Sequence, residues 1–279
     1  MRRVFKATFG LVILGSILAC GTTFELPELG DIQNQKAAKM FAEARAEQPR
    51  RALPRASAEA RFRRVAGRVS ATGKRYCEVV TEAEKDFNCN VNVGIDHKMN
   101  NRNAYFTYIN EKPIIRITLP MLQDTRSDDE VAFILSHEYG HLIGRHIEKQ
   151  QQQQIAGALI LGAIAAAANG YSVANGGYND PNLVNDGINA GAAIGGRAYS
   201  QTYELESDTL GTRIAASAGY DPIEGAKFFA RPEEAKSQTG NLSFWGTHPP
   251  DEKRLATVLA TMEEINANTG LRLAKKSSE

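Results

Sequence analysis

His137-Glu138-Tyr139-Gly140-His141 sets two imidazoles four residues apart with a carboxylate between them. On a helix, residues i and i+4 share one face, so His137 and His141 can aim two nitrogen lone pairs at one point. Glu138 lies about 100° around the helix, within reach of a water held at that point. Two metal ligands and a general base at this spacing are the parts for metal-assisted hydrolysis, with zinc the metal that suits them. A plain solvated helix face could carry the same letters by chance, but the surroundings favour the chemistry. Ser127-Asp128-Asp129-Glu130 has the form of a capping box and predicts a helix start just upstream. Val131, Ile134, Leu135 and Leu142 then recur at helical spacing, giving the helix predicted over 130–148 an apolar face to bury.

Two histidines do not complete a catalytic zinc site, which uses three protein ligands and a water. His146, Glu204 and His248 compete for the third place. His146 follows Gly144 in a run close to H-E-x-x-H-x-x-G-x-x-H, but the third histidine of that pattern would fall at Ile147. On a helix continuing through Gly144, His146 also faces away from the pair. Glu204 and Asp208 share one face of a helix predicted over 199–218. Glu204 can bind metal there while Asp208 holds the distal nitrogen of a ligand histidine. An ordinary acidic face is the alternative, and Glu206 points elsewhere, toward solvent. His248, in Thr247-His248-Pro249-Pro250, either approaches the metal or ends a loop.

The remaining elements must position these groups. Asp31–Gln48 and Ser57–Thr72 have helical composition, with Pro49 and Pro54 between them. Cys89–Ile95 alternates as a strand, and the β-rich runs Asn103–Ile109 and Ile114–Leu119 flank a hairpin turn. An exposed strand edge beside the zinc helix could hold an extended peptide through main-chain hydrogen bonds. Ile155–Ala168 reads as a short buried or interfacial helix, a membrane-dipping segment being the weaker option. Residues 169–196, rich in Gly and Asn, read as a long loop. Asp221-Pro222 opens a helix carrying Ala226, Phe228 and Phe229, and Asp251–Asn266 forms another.

The chain of 279 residues has room for one large domain or two small ones, and 42% hydrophobic with 23% charged residues is ordinary for a globular protein. Formal net charge is +1, and loss of Arg2, Arg3 and Lys6 turns the balance slightly acidic. No basic surface suggests a nucleic-acid partner. Those three residues precede an apolar run, Phe9–Ala19, too short to span a bilayer comfortably. Ile17-Leu18-Ala19-Cys20 resembles a bacterial lipobox, although Leu18 is larger than the usual residue there. That resemblance implies a signal peptide at 1–19 and a lipid on Cys20. Gly21 after the cysteine is similar to Gram-negative lipoproteins kept at the outer membrane. A plain secretory signal or an uncleaved anchor are the alternatives. An exported chain meets an oxidising compartment, so Cys77 and Cys89 are expected to pair rather than stay free.

H-E-x-x-H, a later helix with E-x-x-x-D, and a late His-Pro together resemble the gluzincin family of HtpX-like and CAAX-prenyl-protease-like metallopeptidases. Asn103-Ala104, Arg145-His146 and Arg254 add to the likeness, which covers about residues 57–259 and is strongest for periplasmic lipoprotein members without TPR repeats. The resemblance implies an α+β, mostly helical, zincin-like fold with a small antiparallel sheet beside the zinc helix. It implies a tether and N-terminal helix at 20–56 and a peptidase domain at 57–279. One Zn2+ per chain would be held by His137, His141 and Glu204, with Glu138 the general base and Asp208 behind a ligand histidine. His248 would stabilise the oxyanion or fill the water position and hold the enzyme latent. Gln201 and Ser207 stand where the family usually has Arg and Ala. The function implied is a zinc endopeptidase of the periplasm, anchored by lipid to the outer membrane of a Gram-negative bacterium. Its protein or peptide substrates would be misfolded or stalled envelope proteins, and the outer-membrane assembly machinery a partner. The rival is a non-enzymatic envelope chaperone or scaffold with a vestigial zinc site.

Overall fold

The computed structural model describes residues 21–47, 51–180, 182–195, 201–231 and 243–275. Cys20 and the apolar run before it lie outside the described residues. Helix α1 (Asp31–Ala46) precedes α2 (Arg55–Val80). The second helix runs two turns beyond the expected Thr72, because Val65, Val69, Gly73 and Cys77 continue one buried stripe. Strands β1 (Asn92–Asp96), β2 (Ala104–Ile109) and β3 (Lys112–Thr118) follow. Then come α3 (Leu119–Asp124), α4 (Asp128–Ile143), α5 (His146–Ala174), α6 (Leu183–Gly195) and α7 (Gln201–Ser217). The chain continues with α8 (Pro222–Ala226), a 3-10 turn at Lys227–Ala230, the single turn α9 (Phe244–Thr247) and α10 (Glu252–Asn266).

The described residues are mostly helical with one small sheet, in keeping with an α+β zincin-like fold. The sheet is mixed rather than wholly antiparallel. Its order is β1-β3-β2, with β2 antiparallel and β1 parallel to the central strand. The hairpin turn is tighter than the sequence suggested. Asn110 and Glu111 both take positive φ (48° and 62°), the geometry that suits a two-residue connection, and Lys112 and Pro113 already belong to β3.

The chain forms two compact units. Residues 22–147 and 198–274 make the larger, organised around α4, whose side chains are buried from Glu130 to Ile143. Ser127 Oγ accepts the Glu130 N–H at 3.1 Å and caps the helix, while the Glu130 carboxylate accepts from the Arg126 N–H at 2.5 Å. Helix α7 crosses α4 through glycines. A Cβ on Gly140 would lie 2.6 Å from Ser207 Cα, and one on Gly211 2.9 Å from the His137 nitrogen. The glycine at 140 is thus a packing requirement where α4 meets the Ser207 backbone. Cys77, at the end of α2, is joined by a disulfide to Cys89, just before β1.

The smaller unit holds the described residues 148–180 and 182–195. Here the structure departs from the expected loop at 169–196. Helix α5 continues to Ala174, and α6 occupies Leu183–Gly195, so the segment is largely a helical hairpin. Glycine and asparagine disfavour helix locally, but these glycines serve close packing. A Cβ on Gly162 would meet Ile188 Cγ1 at 2.7 Å, and one on Gly187 would meet the Leu161 carbonyl at 2.7 Å.

Candidate metal centre

Helix α4 brings His137 Nε2 and His141 Nε2 to 3.0 Å from one another. Helix α7 sets the Glu204 carboxylate beside them, Oε2 at 3.5 Å from His137 Nε2 and Oε1 at 3.6 Å from His141 Nε2. His248, at the C-terminal end of α9, adds Nδ1 at 3.1 Å from both Glu204 oxygens and 3.3 Å from His137 Nε2. All four residues are buried, and their ligand atoms lie within 4.8 Å of one another. A tetrahedron with bonds of about 2.0–2.2 Å has edges of roughly 3.3–3.6 Å. The observed separations fall close to that range, so the residues fit a metal ion.

The hydrogen bonds support the fit. His137 Nδ1 lies 2.9 Å from Asp208 Oδ1, which places a proton on Nδ1 and leaves Nε2 as the atom that faces the cluster. Lone pairs and a carboxylate converging in a buried space attract positive charge. Burial opposes a charge on His137, yet Asp208 and Glu204 outweigh it and raise its pKa to about 9. His141 goes the other way, held well below the usual imidazole range by burial and by His137. Burial also opposes ionisation of Glu204, but His248 and Arg254 hold it well below the ordinary carboxylate range.

Arg254, the third residue of α10, is the support that sequence reading noticed without assigning a role. Its Nε donates to Asp208 Oδ2 at 2.7 Å and its Nη2 to Asp208 Oδ1 at 2.8 Å, while Nη1 lies 3.1 Å from Glu204 Oε2. Its guanidinium also lies 3.9 Å from the Phe229 ring centroid. One buried cation therefore fixes both carboxylates of α7. Its spacing after the His-Pro was the available signal. Gln201, in place of the family's arginine, hydrogen-bonds Asp251, the N-cap of α10.

Glu138 is buried on the opposite side of the cluster, its Oε1 3.6 Å from His248 Nε2. Burial pushes its carboxyl above the usual range, against the pull of His248 and His137, while the Phe106 backbone of β2 hydrogen-bonds it. Oε1 itself has no hydrogen-bond partner among the described residues.

Two expectations are corrected here. Glu206 is fully buried rather than solvated, and its Oε2 meets His146 Nε2 at 2.9 Å. Helix α7 is buried on nearly every side, so no position on it had to be a solvent face. His146, in turn, does not face away. Helix α4 stops at Ile143 and Arg145 takes φ +57°, which swings His146 back until its Nδ1 lies 2.9 Å from His141 Nδ1. It touches a candidate ligand without joining the ligand cluster.

A family-wide sequence profile described as Peptidase family M48 matches residues 64–262. A putative beta-barrel assembly-enhancing protease of Vibrio cholerae is 28% identical over 141 residues, 47% of this chain and 27% of that protein. The mitochondrial metalloendopeptidase OMA1 of Arabidopsis thaliana is 28% identical over 136 residues, 48% of this chain and 24% of that protein. The OMA1 of Saccharomyces cerevisiae is 26% identical over 145 residues, 50% of this chain and 38% of that protein. The chain thus spans between a quarter and two-fifths of the length of these relatives.

Proposed function

The chain belongs to peptidase family M48, and from that premise we propose that it is a zinc-dependent endopeptidase using His137, His141 and Glu204 as ligands. The observation that carries this reading is the convergence of those three groups beside a buried Glu138 whose Oε1 meets no hydrogen-bond partner among the described residues. Bound zinc would polarise a scissile carbonyl and lower the pKa of the attacking water. Glu138, its pKa raised by burial, accepts the proton of that water and returns it to the leaving amine nitrogen. Asp208 and Arg254 keep His137 and Glu204 in register throughout. Strand β2 is an edge of the sheet, and its Phe106 backbone hydrogen-bonds Glu138. An extended substrate pairing with that edge would lie beside the general base.

His248 occupies the fourth corner of the cluster. We assign it a gating role: in this position it closes the site, and it must turn away before water and substrate enter. The same closure favours a second reading, a non-enzymatic scaffold with a structural zinc site, since closed four-ligand sites are typically structural. The proposed setting is the Gram-negative periplasm, with a lipid on Cys20 holding the protein at the outer membrane. Misfolded or stalled envelope proteins are the proposed substrates, and the assembly machinery for β-barrels, suggested by the name of the Vibrio relative, is the proposed partner.

The test is zinc content and peptide cleavage of the purified chain, in the parent, Glu204→Ala and His248→Ala. About one zinc in the parent, poorer retention in Glu204→Ala and faster cleavage in His248→Ala support a latent peptidase. Tight zinc with no cleavage in the parent or His248→Ala supports the scaffold.

A further inference from the structure

The two histidines of α4 are supported differently. His137 Nδ1 meets a carboxylate directly, at Asp208. His141 reaches one through a second imidazole. We propose that His146 and Glu206 form a positioning relay that fixes the tautomer and ring orientation of His141 and ties the metal centre to the segment at Thr23-Phe24. The proposal deepens the peptidase reading and rests on its metal site.

The hydrogen bonds fix the direction of the relay. With His141 Nε2 offered to the metal, its proton sits on Nδ1 and is donated to the lone pair of His146 Nδ1, 2.9 Å away. His146 must then carry its proton on Nε2, which donates to Glu206 Oε2 at 2.9 Å. The other oxygen of Glu206 accepts from the Thr23 N–H at 2.6 Å and the Phe24 N–H at 2.7 Å. In this arrangement every donor meets an acceptor while His141 presents a lone pair at Nε2, and Ser207 Oγ, 3.2 Å from His146 Nδ1, is a hydroxyl facing the same ring nitrogen. The surroundings hold the relay rigid. Tyr203 stacks on the His146 ring with centroids 4.6 Å apart, and His141, His146 and Glu206 are fully buried. The Thr23-Phe24 segment is itself pinned, as the Ala274 N–H donates to the Thr23 carbonyl at 2.9 Å and Phe24 bridges Leu273.

Glu206→Gln is the informative change. Its amide NH2 would donate to His146 Nε2, reverse the relay and leave a proton on His141 Nε2, where the metal binds. The experiment measures the zinc dissociation constant of the purified full chain by competition with a chromogenic chelator, with cobalt(II) spectra as a second readout. His146→Phe and Glu206→Gln are expected to weaken zinc about 10–100-fold, and His146→Gln, which can both accept and donate, to recover most of the loss. If His146→Phe does not fold, the nearly isosteric Glu206→Gln decides. Zinc affinity within about twofold of the parent in folded Glu206→Gln overturns the relay while leaving the peptidase reading intact. A folded parent without zinc overturns both.

A separate observation concerns the smaller unit. Residues 150–179 carry no Asp, Glu, Lys or Arg, and α5 is long and apolar enough to cross a membrane. A core helix of that composition would be buried and a signal sequence would sit near the N-terminus. This helix lies mid-chain and is mostly unburied, with Ile155, Leu159 and Ile164 each about 60–70% exposed. From Ile155 to Ala174 it is about 30 Å long, the thickness of a bilayer's hydrocarbon layer. Tyr171 and Tyr178 are exposed at its far end, as aromatic side chains are at membrane boundaries. Its packing on α6 through Gly162 and Gly187 is the small-residue packing that membrane helices use. We infer that the hairpin's occupant is lipid and that α5 inserts into a bilayer.

The test adds a tryptophan at Ile164, and in a control at Leu273, to the buried Trp245 already present, and reads each as the difference from the parent in the full chain reconstituted with brominated phosphatidylcholine vesicles. Ile164→Trp emission is expected to shift to the blue and to be quenched several-fold more by acyl-chain bromine than Leu273→Trp. Quenching no stronger than in the control overturns the insertion. So does a blue shift without vesicles that grows with protein concentration, because a second copy of the chain would then cover the face.

Discussion

The larger unit and the α5–α6 hairpin break the usual rule of burial in opposite directions. In the larger unit, Glu138, Glu204, Glu206, Asp208 and Arg254 lie almost wholly inside. In the hairpin, isoleucines, leucine and tyrosines lie outside. Buried charge is tolerable only when partners replace water, and the larger unit supplies them: Arg254 for Asp208 and Glu204, His146 and two backbone amides for Glu206. Exposed apolar surface has no such internal remedy, because only a medium or another molecule can cover it. The polar interior therefore finds most of its partners within the chain, the metal cluster and Glu138 Oε1 excepted, while the apolar exterior requires something from outside.

Experiments can break that contrast. The largest effect is expected at Glu138, where Glu138→Gln should lower peptide cleavage by about 10²–10⁴-fold while zinc content stays at the parent level. Cleavage at the parent rate would mean that the buried carboxylates serve only structure. Next is Arg254→Met, which leaves Asp208 and Glu204 without their cation. It should cost about 3–5 kcal/mol in denaturant unfolding and weaken zinc retention, and a neutral result would show that the buried charges do not depend on one another. Replacing Cys77 and Cys89 together with alanine removes a crosslink over a sequence separation of 12 and should cost about 3 kcal/mol, read from the same unfolding curves. The smallest effect belongs to the hairpin. Leu159→Gln, on an exposed face, should change unfolding in detergent by about 0.5 kcal/mol or less while reducing vesicle binding. A large loss of stability would show that the face is packed in solution and would erase the contrast.

Legibility in the sequence divides along the same line. The H-E-x-x-H helix and the E-x-x-x-D pair were readable because each is a local pattern on one helix, and a period of 3.6 converts spacing into a shared face. The relay was not readable. Its geometry depends on one residue, Arg145, at positive φ, and nothing beyond the preceding Gly144 signals that the helix ends before His146. Glu206 was misplaced because wheel reasoning assumes that every helix has a wet side, and α7 has almost none. The hairpin was misread for the converse reason. Glycine and asparagine lower intrinsic helix propensity, but in α5 and α6 glycine lets one backbone approach another, a tertiary gain that outweighs the local cost. The parallel pairing of β1 was likewise invisible, since alternation reports a strand's faces and not its neighbours.

The glycine crossing of α4 and α7 has a consequence for how the chain is made. It brings together residues far apart in sequence, and the groups around it reach from Thr23 to Arg254. Thr23 meets Glu206 across 183 positions, and Arg254 meets Asp208 across 46. No nascent chain that stops short of α10 can hold the cluster in register, because the cation that aligns Asp208 and Glu204 has not yet been made. Such long-range closure is slow relative to local helix formation. A centre built this way stays unassembled until α10 has been made, and the groups that align it arrive last.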